Sequence, residues 1–422
     1  MPTRLFVRSS MLLALALLLV PRLGYAQITA TTAGIAPFGS YTDDSSGVIN
    51  AATLDIETNI PVRNKGVFFS SLHHENALYY FNSQTGTWYP NGLFPGQFYL
   101  LDNLSSGLGF LGAGPFCQAG GDIAYTFILT DPTGFVHTWP NFGVDTNSCV
   151  YPSSGTNVDA YGYSISAYFA GEQVRATVTD PNGTVLTTPA GSLHPTDANG
   201  NQFSFTPSQQ TLDYTGNAVL TGTSTGLSYN NQAGNPVNVS IATTSYTIAT
   251  DFGCSGIGEY NSQGPQPLPT TITMPDGSTY KITYEKTPNN ANYRTGRIAS
   301  ITLPTGGTET YTYNGPNNGI NCSDGSTSGF TRQTSDGTWT YTHSRNSSTG
   351  QWQTKITAPS GQSLTYLFTS YPSEYEVSRT YAESNGAVTA TIVTCYNGNT
   401  VMSSCASQPQ AIRNSWSQME GF

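Results

Sequence analysis

Charge is what this chain of 422 residues has least of: Asp, Glu, Lys and Arg together make up 9%, where an ordinary domain carries about 25%. Basic residues are the scarcer kind, 15 Lys and Arg against 25 Asp and Glu, for a formal net charge of −10. Phosphate-rich partners are gripped by a basic stripe, so no nucleic acid is expected as a ligand. Also missing is any long window with an apolar period of 3.6, which argues against a helical fold. Gly (44) and Pro (25) fall instead at short intervals throughout. Long hydrophobic runs are absent too. Met11–Val20 is ten residues, short of the roughly 20 a bilayer needs, and no transmembrane span is expected.

The signatures of common chemistries are lacking as well. No Gly-x-Ser-x-Gly elbow occurs, no Cys-x-x-Cys pair, and no phosphate-cradling Gly loop followed by a helix. His73-His74-Glu75 is the one histidine cluster, without the His-Glu-x-x-His helix of zinc proteases. On a strand His73 and His74 point to opposite faces, so the cluster reads as a surface pair ending a strand over 68–72. His137 reads as a sheet residue; His194 and His343 stand alone. Asp197-Ala198-Asn199-Gly200-Asn201 lacks the later bidentate Glu of a calcium loop and reads as a turn. Asp43, Asp44, Glu57, Asp102, Asp122, Asp159 and Glu172 are the carboxylates on which a glycosidase would have to draw. No catalytic, cofactor-binding or metal residue is assigned, and no cofactor is expected.

What is present begins with an exported character. Arg4 and Arg8, the apolar run and Gly24-Tyr25-Ala26 form the three parts of a signal peptide, 1–26, predicting a mature start at Gln27. Loss of Arg4, Arg8 and Arg22 would move the charge to −13. Six cysteines follow, an even number in an exported chain. Closeness along the chain favours Cys117–Cys149, Cys254–Cys322 and Cys395–Cys405 among about 15 pairings.

A turn motif recurs: an aliphatic residue, Thr, any residue, Pro, any residue, Gly. It fills Leu129–Gly134, Val178–Gly183, Ile272–Gly277, Ile301–Gly306 and Ile356–Gly361. Thr196–Gly200 has Ala198 in place of Pro, and Thr334–Gly337 is shorter still. Pro suits the second position of a type I turn, and Gly the left-handed residue that ends it as a bulge. The residues beyond each Gly alternate: Tyr280, Ile282 and Tyr284; Tyr311 and Tyr313; Leu364, Tyr366 and Phe368; Phe203 and Phe205; Trp339 and Tyr341, with Thr-rich polar residues between them. Period 2 places the aromatics on one face of a strand. Each unit is thus a hairpin with an aromatic face, too small to stand alone, and stacked hairpins would bury those faces in one continuous sheet.

The stretch Gly296–Tyr313, with its Gly-Arg, aliphatic strand, Pro-x-Gly and Tyr-x-Tyr, resembles the repeat unit of the YD-repeat, or Rhs-repeat, family of secreted proteins. Tyr280–Tyr284 and Tyr366–Phe368 fit the same frame, and Ile49–Phe81 resembles the segment that opens many such chains. The resemblance implies a β-sheet strip spiralling into a hollow shell, which encloses a toxin or enzyme or acts at cell surfaces in adhesion and carbohydrate binding. Without a recognisable C-terminal toxin domain, this chain reads as a short or truncated member.

The expected fold is therefore all-β, repeated hairpins in a curved or coiled sheet. Its divisions are 27–265, a β-rich region; 266–370, the clearest repeats; and 371–422, a disulfide-tied tail. The seam is placed at Pro265–Pro269, where three prolines in five residues resist a continuous strand. The expected role is structural, at a cell surface or secreted, with other Rhs-like chains, an enclosed effector or cell-surface carbohydrate as partners. A carbohydrate-binding or adhesion module is the alternative and a secreted hydrolase a third. Trp88, Tyr89, Trp139, Trp339 and Trp352 are the rings that could stack on sugar, against the simpler reading that such rings fill the core.

Overall fold

The computed structural model describes residues 41–43, 47–65, 68–76, 79–82, 84–90 and 96–102, the strands between 108 and 188 with 162–163 and 180–184, residues 196–395 save 197–198, 207–209, 224 and 369–375, and finally Cys405 and 419–421. The segment 1–26 expected to be a signal peptide, Cys117 and Cys149 lie outside the described residues, as do Asp131–Gly134 and His194.

The molecule is nearly all antiparallel β-structure. An N-terminal sheet contains β1 (Tyr41–Asp43), β2 (Gly47–Asn50), β3 (Asp55–Lys65), β4 (Phe68–Glu75) and, beyond the hairpin of β5 (Tyr79–Asn82) and β6 (Thr87–Pro90), β7 (Tyr99–Asp102), in the order β1-β2-β3-β4-β7. Two small sheets follow. One holds β8 (Leu108–Gly112), β9 (Ile123–Thr130) and β10 (Val136–Val144); the other β11 (Gly155–Val158), β12 (Ser164–Ala170), β13 (Gln173–Thr179) and β14 (Val185–Thr188). His137 is a sheet residue of β10, opposite Leu129.

The rest is one 16-stranded sheet in which each strand pairs with the next in sequence. Its members are β15 (Ser204–Phe205), β16 (Gln210–Leu212), β17 (Ala218–Thr223), β18 (Gly226–Asn230), β19 (Pro236–Ala249), β20 (Asn261–Thr273), β21 (Thr279–Thr287) and β22 (Asn290–Thr302). They continue as β23 (Thr308–Thr312), β24 (Gly329–Thr334), β25 (Gly337–Arg345), β26 (Trp352–Thr357), β27 (Ser363–Phe368), β28 (Glu376–Ala382), β29 (Val388–Cys395) and β30 (Met419–Gly421).

The Pro-x-Gly motifs make the turns their chemistry demands. In Met274–Gly277, Leu303–Gly306 and Ala358–Gly361 the Gly N–H donates to the carbonyl three residues back at 2.9 Å, and each Gly is left-handed at φ +85 to +87°. Asp180–Gly183 is built the same way. So are three turns with no proline, Asp213–Gly216, Asn231–Gly234 and Glu383–Gly386. There Asp213 and Asn231 do proline's work, each side-chain oxygen accepting two backbone N–H groups of its own turn. The shortened motif closes as a two-residue loop, with Thr334 paired directly to Gly337.

Alternation beyond each turn decides what is buried. In β21 Ile282 and Tyr284 are buried and Lys281 and Thr283 exposed; in β23 Glu309 and Tyr311 alternate with exposed Thr308, Thr310 and Thr312. In β27 Leu364, Tyr366 and Phe368 are buried.

The seam expected at Pro265–Pro269 lies inside β20, where Pro265, Pro267 and Pro269 pair with Thr247, Ser245 and Thr243 of β19. On its other side β20 meets β21 only at Thr271–Thr273. Prolines at alternate positions all turn their missing N–H toward that open edge, which is where a strand tolerates them. The Tyr284 hydroxyl covers part of it, reaching the Pro269 carbonyl at 2.8 Å.

The buried face of the large sheet is occupied by the N-terminal sheet. Ile49, Leu54, Ile56, Ile60, Val62 and Leu72 belong to the same buried cluster as Val239, Leu268, Ile298, Phe330, Tyr366 and Ile392. Polar groups lock the two together. Asn76 donates from Nδ2 to the Tyr313 hydroxyl (2.8 Å) and accepts from Ile298 N (2.9 Å), while Tyr313 donates to the Ile298 carbonyl (2.9 Å). Tyr79 donates to the Thr295 carbonyl (2.6 Å), Thr327 N to the Thr53 carbonyl (3.1 Å), and Thr354 Oγ1 to the Ala51 carbonyl. Every member of the Asn76 ring is satisfied, as a buried polar network must be to stabilise. Among the described residues no helix is long and apolar enough to cross a membrane.

Candidate functional site

The Gly296-Arg297 step and the Tyr-x-Tyr strand that follows it meet in space. Gly296 is left-handed (φ +85°) and turns the Arg297 side chain into the interior, where it is 2% exposed. A buried guanidinium needs a counter-charge and partners for its remaining donors. Arg297 finds both: Nε and Nη2 clasp Glu285 at 2.7 and 3.0 Å, and Nη1 and Nη2 reach the carbonyls of Gly319 (3.2 Å) and Asn318 (2.8 Å). Its plane lies over the rings of Tyr313 (4.0 Å) and Phe252 (4.9 Å). Two repeats later Arg379 makes a like arrangement, bidentate to Glu376 at 2.7 Å and over Tyr366 at 5.0 Å.

Beside the Arg297–Glu285 pair, the far ends of four strands converge. β19, already paired with β20, also meets β22 in parallel at Ile248–Arg294. Here lies an open cleft of about 570 Å³, lined by Tyr246, Thr283, Lys286, Arg294 and Thr312 over a base of Tyr284, Tyr311 and Tyr313, with Ala299 and Glu285 completing it. Arg294 lies over the Tyr246 ring at 4.8 Å and spends Nη1 on the carbonyls of Ala291 (2.9 Å) and Tyr293 (2.8 Å). Lys286 is its direct cross-strand partner. Neither cation has a carboxylate within ion-pair distance among the described residues, because Glu285 is held by Arg297 and Thr295. Sequence reasoning missed this cleft: its cations belong to strands whose ends meet only through the β19–β22 pairing.

The aromatic candidates separate by burial. Trp88 and Trp352 are corrected to core residues: Trp88 is fully buried with an edge on Phe252 (6.2 Å), and Trp352 stacks on His343 (4.5 Å). Trp339 is half-buried with Arg332 over it at 5.6 Å. Tyr89 is 42% exposed and stands in a row, 6.3 Å from the equally open Tyr80 and 6.1 Å from Tyr260. The side chain of Trp139 lies outside the described residues.

The histidines also change character. His73 and His74, expected at the surface, are both fully buried, because β4 lies inside the N-terminal sheet with both faces covered. His73 Nδ1 is 2.8 Å from Asn59 Oδ1, and His74 packs its ring on Phe98 at 4.8 Å. Burial, with His73 nearby, brings the His74 pKa down to about 3. His343 falls to about 3 through burial alone. Its Nδ1 lies 2.8 Å from Thr354 Oγ1, whose own proton goes to Ala51, so Nδ1 carries the hydrogen of a neutral ring. Among the described residues no three His, Cys, Asp or Glu side chains are grouped to hold a metal ion. Glu57 is buried on β3; the side chains of Asp43, Asp44, Asp102, Asp122, Asp159 and Glu172 lie outside the described residues.

Of the cysteines, Cys254 and Cys322 form a disulfide with Cα atoms 5.7 Å apart, closing the cluster of Tyr79, Trp88, Phe252 and Ile320. Cys405 is buried beside Val393 and is disulfide-bonded. Cys395 ends β29, and its side chain lies outside the described residues.

Fold and site together define a class, an all-β hairpin-repeat protein with a disulfide-closed core and an open, tyrosine-lined cleft. Compared with known proteins, the chain matches no family model and no curated protein.

Proposed function

We propose that this protein works outside the cytoplasm as a non-catalytic interaction protein, exported by cleavage of residues 1–26. It is a hairpin-repeat scaffold related in plan to the Rhs shells, but filled by its own N-terminal strands instead of a cargo. The observation that carries the reading is the shared core. The face that would line a hollow shell packs on Ile49–Leu72 and is hydrogen-bonded to Asn76 and Tyr79. The Cys254–Cys322 disulfide fits an oxidising compartment. With the inside taken, binding falls to the outer surface.

A second reading, a carbohydrate-binding or adhesion module, is favoured by the row of Tyr80, Tyr89 and Tyr260. Two of its rings are more than 40% exposed, at a spacing suited to sugar rings. The test is the native mass of the exported chain from its own culture, with its companions identified. The expected result is the mass of one chain, starting at Gln27, with any partner held at the surface. Migration with a second repeat-bearing chain or an enclosed effector contradicts the proposal.

A further inference from the structure

We infer that the cleft at the convergence of β19, β21 and β22 binds an acidic saccharide, a sugar ring carrying a carboxylate or sulfate. The inference rests on the interaction reading above and adds to it a place and a ligand class. Its root is an electrostatic anomaly. Lys286 and Arg294 face each other across β21 and β22, and like charges directly opposed in an antiparallel pair are destabilising. The chain has only 15 basic residues and an excess of acidic ones, yet no carboxylate pairs with either cation among the described residues. The one carboxylate lining the cleft, Glu285, is neutralised by two bonds from Arg297 and one from Thr295. An anion between Lys286 and Arg294 would relieve their repulsion, and charge-assisted bonds to it are the strong kind.

The rest of the cleft suits a sugar better than a bare anion. Arg294 is held in place by two backbone carbonyls and the Tyr246 ring, so little freedom is lost on binding. Thr312 adds an exposed hydroxyl group at the wall beside Thr283, whose own hydroxyl is paired with that of Ser300 (2.6 Å), and Tyr246 adds an apolar ring edge. A volume of about 570 Å³ falls among small-ligand sites and far exceeds a single inorganic ion.

The test titrates the full exported protein with trigalacturonate, a sulfated uronate disaccharide, uncharged galactotriose and inorganic sulfate. Expected is binding of at least one charged sugar that weakens with salt. It should fall about tenfold in Arg294→Gln and in Lys286→Gln and stay unchanged in Lys355→Gln, an exposed lysine on the outer face. Binding of trigalacturonate shows that a carboxylate suffices, and binding of the sulfated uronate alone shows that the sulfate is needed. Lys286→Gln should also melt higher than the parent without ligand, since it removes the like-charge contact, and should gain less on adding the sugar. Three results overturn the inference: no charged sugar binds, sulfate binds as tightly as the sugars, or both cleft variants bind like the parent. If binding instead disappears in Tyr89→Ala and survives in Arg294→Gln, the cleft is wrong while the interaction reading stands.

Discussion

Burial holds the imidazoles of His74 and His343 near a pKa of about 3, while in an unfolded chain they titrate at 6.5. The folded state therefore takes up these protons later than the unfolded state as pH falls. Their contribution is fully present above 6.5 and is lost as pH drops from 6.5 toward 3. At pH 5 each should cost about 2 kcal/mol, a window in which most carboxylates remain ionised. Urea midpoints measured between pH 5 and 7.5 should fall on the acid side, and His343→Phe should flatten part of that slope. A pH-independent midpoint would mean the two rings are not buried as described. At this scale sequence misleads in one direction: a His-His-Glu run looks polar and solvated, and nothing local to it reveals that Phe98 and Tyr284 cover His74. Arg297 hides its role in the same way, since its partners Glu285, Phe252, and Tyr313 with Asn318 come from three separate segments.

At the scale of the element, two left-handed glycines separate the cost of a turn from the cost of a close approach. Gly306 has φ +87° and open space where a Cβ would go; Gly325 has φ +83°, and its Cβ would lie 1.5 Å from the Tyr79 carbonyl oxygen. Gly306→Ala should therefore cost only the left-handed penalty, about 1–2 kcal/mol. Gly325→Ala must also push β5 off the loop before β24 and should cost roughly twice as much or more. Equal losses in denaturant midpoint would show that the β5 contact is weak. The turns and strand faces were readable in advance because Pro, Gly and the period of 2 act within six or so residues. The proline-free turns at Asp213, Asn231 and Glu383 carried a fainter signal, Gly at the fourth position after Asp, Asn or Glu. β20 was misjudged as a seam because whether a proline is tolerated depends on which neighbour is missing, and that is set by the pairing of β21.

At the scale of the whole molecule, the all-β class and the sheet of consecutive hairpins followed from the repeats, whereas the filling of the sheet did not. The contacts that create it join residues more than 200 positions apart, as in Asn76 with Ile298 and Tyr79 with Thr295. No periodicity encodes such a pairing. The central claim is that the N-terminal strands and the hairpin repeats form one cooperative body, and hydrogen exchange on the intact protein across a denaturant series tests it most directly. Amides of Ile56–Val62 and of Ile298, Phe330 and Tyr366 should be protected to a similar degree and become exposed in the same transition. Early, independent exchange over 49–79 while 298–366 stays protected would contradict the account, leaving the inner face of the sheet free for another occupant.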